Sequence, residues 1–415
     1  MLNKLINQFN TFPRTFRTLV AATFIDRLGG GLIFPFLSLY VAQRFDVGMT
    51  EIGLLFGTWS ISSLVGSTVG GALADKFGRK VILVSGLIFS AASALLMGFV
   101  TEVRIFYFVA IFAGLFSDIG HPAQQAMVAD LLQDEQRTEG FSLLRVVANL
   151  AVTIGPAIGG LLAGFSFLLL FILDAFASTL TALIVIKTIP ETKPEGSPDQ
   201  KVESLLSTLA GYWKVTKDRF FIAFIIASIM IIFVYVQMYS TLSVYLYKFH
   251  SVSARDFGFI MSMNAAMVVV FQFWITRKIK NFQPMIIMIV ACLLYGLGFS
   301  MFGFTSVFWL FLLAMAIITI GEMIHIPTSQ ALVAYFAPED MRGRYMAAFG
   351  YTWAIPNAAG PVLAGLIMDN YNPDLVWYLA GAISIVSAGA FYHIYQRTKD
   401  KFIKILKSDL PSIEL

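Results

Sequence analysis

Three short stretches of this chain hold side chains whose types and spacing can move a proton. "DIGHPAQQ" places Asp118, His121 and Gln125 on one helical face, "GEMIHIPTSQ" repeats the design with Glu322, His325 and Ser329, and "TFIDRLGGG" sets Asp26 beside Arg27. Residues three, four or seven apart share a face of a helix, so the first two stretches read as polar stripes on apolar helices. A carboxylate one turn from a histidine can exchange a proton with it, because imidazole titrates near roughly pH 6.5 in water. Acids and histidines of this kind form relays in pumps and transporters. Adjacent residues on a helix point about 100° apart, so Asp26 and Arg27 serve different surroundings. Asp26 shares a face with Gly30, Ile33 and Leu37, and Arg27 is expected to meet an acid or a helix C-terminus of another element. Asp-x-x-His and Glu-x-x-His also occur in di-metal carboxylate bundles, which need one more acid from each of two further helices. Matching acids are not evident, so neither a metal nor a cofactor is expected.

What these groups do depends on the solvent around them. The 415-residue chain is 58% hydrophobic and 13% charged, with a mean hydropathy of +0.77, against roughly 45–50% apolar and about 25% charged in soluble domains. That is a membrane protein's balance. A helix needs about 20 mostly apolar residues to cross a bilayer, and twelve such windows are legible, six between residues 16 and 188 and six between 219 and 396. Backbone groups in hydrocarbon must be satisfied within the segment, and the alternation of a barrel is absent, so the spans are helices. A charge at the centre of such a helix costs about 2.5–3.5 kcal/mol on insertion scales. Asp26, Arg27, Asp118, Arg145, Asp174 and Glu322 must therefore face a cavity or a partner. Asp174, in "FILDAFAS", reads as a structural acid; Arg145 either snorkels to the interface or pairs with Asp130 as a gate.

A stretch rich in Pro, Gly and charge divides the chain into residues 1–189, a linker at 190–218 and residues 219–415. The two parts repeat. "HPAQQAMVADLLQDEQR" falls over "IPTSQALVAYFAPEDMR", and further on Gly155 falls over Gly360 and Pro156 over Pro361. Paired halves of this sort bind substrate near the bilayer midplane and alternate access by rocking. With an even number of spans both termini share a side, and the opposite loops carry only Arg44, Arg104, Lys248 and Arg255. The positive-inside rule then puts both termini in the cytoplasm, in a plasma membrane or bacterial inner membrane. The basic loops suit anionic lipid headgroups rather than nucleic acid. No removable signal peptide is expected, and the single Cys292 excludes an intrachain disulfide.

Between the second and third spans, "GGALADKFGRK" supplies Gly71, Asp75, Gly78, Arg79 and Lys80. The pattern resembles the signature of the major facilitator superfamily of secondary transporters. "NLAVTIGPAIGG" in the fifth span, with Gly155, Pro156, Gly159 and Gly160, is similar to the motif of drug/proton antiporters within that superfamily, and "LGGGLIFPFLSLYV" resembles their first-helix motif. The chain departs from the pattern in the fourth span, where Arg104 is followed by Phe108 and not by the glycine of R-x-x-x-G. No role is carried over to Arg104. In the second half "TRKIKNFQP" keeps the charge of the loop signature without its glycines.

The resemblance implies an all-α integral membrane protein with twelve transmembrane helices in two pseudo-symmetric six-helix bundles. It also implies a proton-coupled antiporter that exports amphipathic or apolar small molecules. Asp26, Asp118 and Glu322, assisted by His121, His325, Gln125 and Arg27, would then line the cavity and carry protons. Gly71, Asp75, Gly78, Arg79 and Lys80, with Asp130 and Arg145, would hold the outward-open state, and Gly155, Pro156, Gly159 and Gly160 would supply tight packing and a bend. Its partners would be a small-molecule substrate, protons and membrane lipids, with the chain acting as a monomer. An importer, a flippase for lipid-like molecules, or a membrane receptor that senses a ligand would use the same fold; three intramembrane acids argue against the receptor. No phosphate loop, nucleophile elbow, zinc-protease or dinucleotide motif stands in a suitable context, so an ion gradient rather than catalysis is the expected energy source.

Overall fold

The structure, a computed structural model, describes residue 9 and residues 11–193, 215–279, 282–338 and 341–409. Most of the linker anticipated at 190–218 lies outside the described residues. The described elements are helical throughout. The first part contains α1 (Arg14–Ile33), α2 (Leu37–Phe45), α3 (Met49–Phe77), α4 (Arg79–Phe99), α5 (Val103–Ser117), α6 (His121–Leu131), α7 (Asp134–Ala163) and α8 (Phe167–Thr188). Then come α9 (Arg219–Tyr235), α10 (Gln237–Ser240), α11 (Leu242–His250), α12 (Ala254–Ile279), α13 (Pro284–Phe304), α14 (Phe308–Phe336), α15 (Arg342–Asn370) and α16 (Leu375–Asp409).

Eleven helical stretches among the described residues are long and apolar enough to cross a membrane. The remaining one, α15, has 29 residues, but Asn357, Pro356, Pro361 and several glycines dilute its hydropathy. Large apolar side chains such as Phe108, Phe176, Phe273 and Trp309 are more than 60% exposed, an arrangement that water would penalise and lipid tails accept.

Two of the spans are interrupted where proline removes a donor. Pro35 turns the end of α1 into a short 3-10 segment at Phe34–Phe36 before α2 begins. Pro122 stands at the start of α6, and the chain between α5 and α6 leaves the helix at Asp118–Gly120. A proline cannot donate to the carbonyl four residues back and crowds it, so each break falls just upstream. Irregular backbone at membrane depth is tolerated where it lines a cavity.

Contacts gather the chain into two compact units, Met1–Pro198 with Tyr239–Ala265, and Asp199–Met238 with Ala266–Leu415. In the first, α1 packs against α7 and α8, α4 against α8 and α5, and α3 against α5. Its apolar core joins Phe16, Leu19, Leu83, Ala123, Met127 and Val185. Glycines set how close the helices come. A Cβ on Gly155 would fall 2.7 Å from the carbonyl carbon of Gly31, and one on Gly159 would fall 2.3 Å from the carbonyl oxygen of Leu32. The fifth-span motif is thus the surface on which α1 lies. Gly160 meets Gly258 of α12 in the same way, a Cβ there falling 2.2 Å from the Gly258 Cα. The segment α11 packs on α2, where Ser38 and Ser243, 205 residues apart, share a hydrogen bond of 3.0 Å.

In the second unit α13 packs against α14 and α16, and α9 against α15 and α16. Tyr295, Phe299, Phe302 and Trp377 are fully buried there, with the Phe299 and Trp377 rings stacked at 6.4 Å.

Candidate functional site

The first unit encloses the chemistry. A cavity of about 390 Å³ is lined by Asp26 of α1, Asp118 at the break after α5, and Asp174 of α8. Phe34, Phe56, Trp59 and Phe171 contribute its aromatic wall. Each acid has a reason for its place. Asp26 accepts a hydrogen bond from the Ser178 hydroxyl at 2.9 Å, and Asp118 accepts one from the Ser63 hydroxyl. Asp174 sits where α1 and α8 nearly touch, so that a Cβ on Gly29 would lie 2.8 Å from its Oδ1. Asp26 feels the charge of Asp118, and Asp174 that of Asp26. Three carboxylates, from α1, α8 and the break between α5 and α6, therefore share one partly apolar chamber.

The anticipated stripe on the fourth span bends where the helix breaks between Asp118 and His121, although the His121 N–H still donates to the Asp118 carbonyl at 3.1 Å and its ring feels the Asp118 charge. Asp118 lines the acidic chamber, whereas His121 and Gln125 line a second cavity of about 490 Å³ with Arg27, Gln124, Arg145 and Asn149. There the Gln125 amide donates to His121 Nε2 at 3.2 Å. A small pocket of about 50 Å³, reached by Asp26, Arg27, Ser90, Ser117, His121 and Gln124, lies on residues of both larger cavities. Arg27 lines all three. Gln124 also donates to the Thr23 hydroxyl, which in turn donates to the Leu19 carbonyl at 2.8 Å. Pro156 leaves the Val152 carbonyl of α7 without its helical donor, and Val152 borders both cavities.

Glu322 and His325 belong to the second unit. Glu322 accepts from the Tyr235 hydroxyl at 3.0 Å, and Trp353 stands edge-on to the Tyr235 ring at 5.8 Å. His325 is 2% exposed beside the Tyr295 ring, 5.7 Å away. Neither of its ring nitrogens has a hydrogen-bond partner among the described residues.

The loop signature between α3 and α4 is arranged around a latch. Arg79 makes a salt bridge to Asp130 at the end of α6 and donates to the Ala126 carbonyl at 3.3 Å. Asp130 thus pairs with Arg79, while Arg145, considered above as its partner, lines the 490 Å³ cavity. Asp75 is exposed at the end of α3, and Gly71 lies in ordinary contact with Pro122, 3.7 Å from a Cβ placed on it. Gly78 has φ +108°, a conformation glycine adopts without strain. Glu191, which no sequence motif marks, completes the latch: its carboxylate accepts the backbone N–H groups of Arg79 at 2.9 Å and Lys80 at 3.1 Å. The Lys80 ammonium donates to the Ile186 carbonyl at 2.8 Å. Partial burial pushes the Glu191 carboxyl up, but four backbone donors outweigh it and hold the group below its ordinary value. Ser63 and Ser178 were also missed; only the spacing of Asp174 and Ser178 in "DAFAS" hinted that the latter shares a face with an acid.

A family profile described as Major Facilitator Superfamily matches residues 19–361. The chain belongs to the major facilitator superfamily. It is therefore a multi-pass membrane transporter that handles small molecules, and not an enzyme. The Na(+), Li(+), K(+)/H(+) antiporter of Planococcus maritimus is 27% identical, over 92% of this chain and 97% of that protein. Multidrug resistance protein 2 of Bacillus subtilis (strain 168) is 28% identical over 94% and 96%. Quinolone resistance protein NorA of Staphylococcus aureus is 25% identical over 87% and 92%. Among solved structures, the nucleoside transporter NupG superposes with a TM-score of 0.75 at 16% identity, over 92% of this chain and 99% of that one. This last likeness concerns the fold alone, the all-α major facilitator fold.

Proposed function

We propose that this major facilitator is a proton-coupled antiporter of the cell membrane, with cytoplasmic termini, that exports amphipathic or apolar compounds as a monomer. The observation that carries the reading is the set Asp26, Asp118 and Asp174 on one aromatic-walled cavity. A carboxylate enclosed among rings needs a countercharge, which a proton or a cationic substrate supplies in turn. Exchange follows if both compete for the same acids, and aromatic faces attract a lipophilic cation further. Glu322, held by Tyr235, offers a second proton position, and the latch of Arg79, Asp130 and Glu191 stabilises one of the alternating states. The named multidrug and quinolone relatives support the substrate class.

A second reading, exchange of a monovalent metal cation for protons, is favoured by the Planococcus maritimus relative and by the oxygen donors of Asp26, Asp118, Asp174 and Ser178 on the acidic chamber. Hard cations prefer such ligands. Proteoliposomes under an imposed pH gradient separate the two. Proton release triggered by a lipophilic cation supports the first, release triggered by sodium or potassium supports the second, and flux from neither rejects both. Asp26→Asn and Glu322→Gln should fold and lose or change the pH dependence of exchange; unchanged dependence in both removes these acids from the mechanism.

A further inference from the structure

The cavity next to the acidic chamber has the opposite chemistry. Arg27 of α1, Arg145 of α7 and His121 of α6 line it together with the amides of Gln124, Gln125 and Asn149, and no carboxylate is among its lining residues. Three helices each present a pair one turn apart: Thr23 with Arg27, His121 with Gln125, and Arg145 with Asn149. Arg79 is closed by Asp130, but among the described residues neither Arg27 nor Arg145 makes a salt bridge. Asp26, which feels the charge of Arg27, takes the Ser178 hydroxyl and lines the other chamber. Two guanidinium groups facing one space repel each other until an oxyanion enters, and their planar forks suit a carboxylate or phosphate. Phe141, Leu144 and Val152 complete the wall with apolar surface.

We propose that this second cavity is an oxyanion subsite, and that the transported class includes zwitterions whose ammonium sits among the acids while a carboxylate on the same aromatic body reaches Arg27 and Arg145. This rests on the reading of the acidic chamber as a cation site. The shared chemistry, an oxyanion on an apolar body, also fits an acidic phospholipid, and the test separates the two.

Binding is measured in phosphatidylcholine nanodiscs with an arylpiperazine that carries a carboxylate on its far ring, and with the decarboxylated counterpart. Wild type should prefer the zwitterion. In Arg145→Gln the ratio of the two affinities should fall about tenfold, the size of one charge-assisted hydrogen bond, and Arg145→Lys should keep part of it. Asn149→Leu should lower the same ratio more weakly. Failure of both ligands to bind wild type removes the cation reading. Binding of both with equal affinity, or an equal loss of both in Arg145→Gln, overturns the subsite alone. Repeating the measurement with phosphatidylglycerol tests the lipid: if Arg145→Gln alters only retention of that lipid and leaves the ligand ratio unmoved, the substrate assignment is wrong.

Discussion

At the scale of single residues, the latch around Glu191 makes the most direct claim on pH. Its carboxylate caps the first N–H groups of α4, where the helix dipole also favours negative charge. Because the folded state holds Glu191 below its ordinary value of 4.5, its contribution is complete above that pH and is lost as pH falls through the lowered value. Thermal unfolding of purified protein between pH 6 and 3.5 (roughly the carboxylate range) should show a fall in Tm that Glu191→Gln flattens. A parallel fall in both proteins removes Glu191 as its source. Ser63 allows a second measurement. Ser63→Ala should leave the protein folded while slowing proton-driven exchange, since it removes a donor from Asp118; an unchanged rate at normal yield and Tm removes this hydrogen bond from the cycle.

Helices are positioned by what their glycines permit. Gly155→Val should separate α7 from α1 and lower the yield of monodisperse protein sharply, since its side chain would occupy backbone already taken by Gly31. Overpacking of this kind typically costs about 1–3 kcal/mol. Normal yield and Tm would show that α1 can slide. The contact of α2 with α11 offers a chemical probe, because the chain's only cysteine, Cys292, is buried. Ser38→Cys with Ser243→Cys should cross-link under mild oxidant, stop transport and recover on reduction. Transport that continues while the pair is cross-linked shows that this contact stays closed throughout the cycle.

For the whole molecule, the membrane class, the spans and the family were legible because hydrocarbon imposes long apolar runs that composition reveals directly. The weakest span by hydropathy, α15, is also the one richest in residues that bend or dilute a helix. Asp26 and Asp118 stood out as charges in apolar runs, and both line the acidic chamber. The third acid, Asp174, read as structural because its neighbourhood depends on how closely Gly29 lets α1 approach α8. Spacing within one helix carries no such information. That Asp118 and His121 line different cavities was hidden similarly: face periodicity assumes an unbroken helix, and the chain leaves the helix just before Pro122. Glu191 was illegible because the two N–H groups of α4 that it caps lie more than a hundred residues away in sequence, 112 for Arg79 and 111 for Lys80.

Arg27 lines each of the three cavities described above, so an occupant of one alters the field felt in the others. Thermodynamic linkage then fixes a reciprocity. The factor by which a proton on Asp26 changes the affinity of the basic cavity for an oxyanion must equal the factor by which that oxyanion changes the proton affinity of Asp26. One shared side chain would thus make substrate charge and proton occupancy two readings of a single coupling constant, measurable from either side.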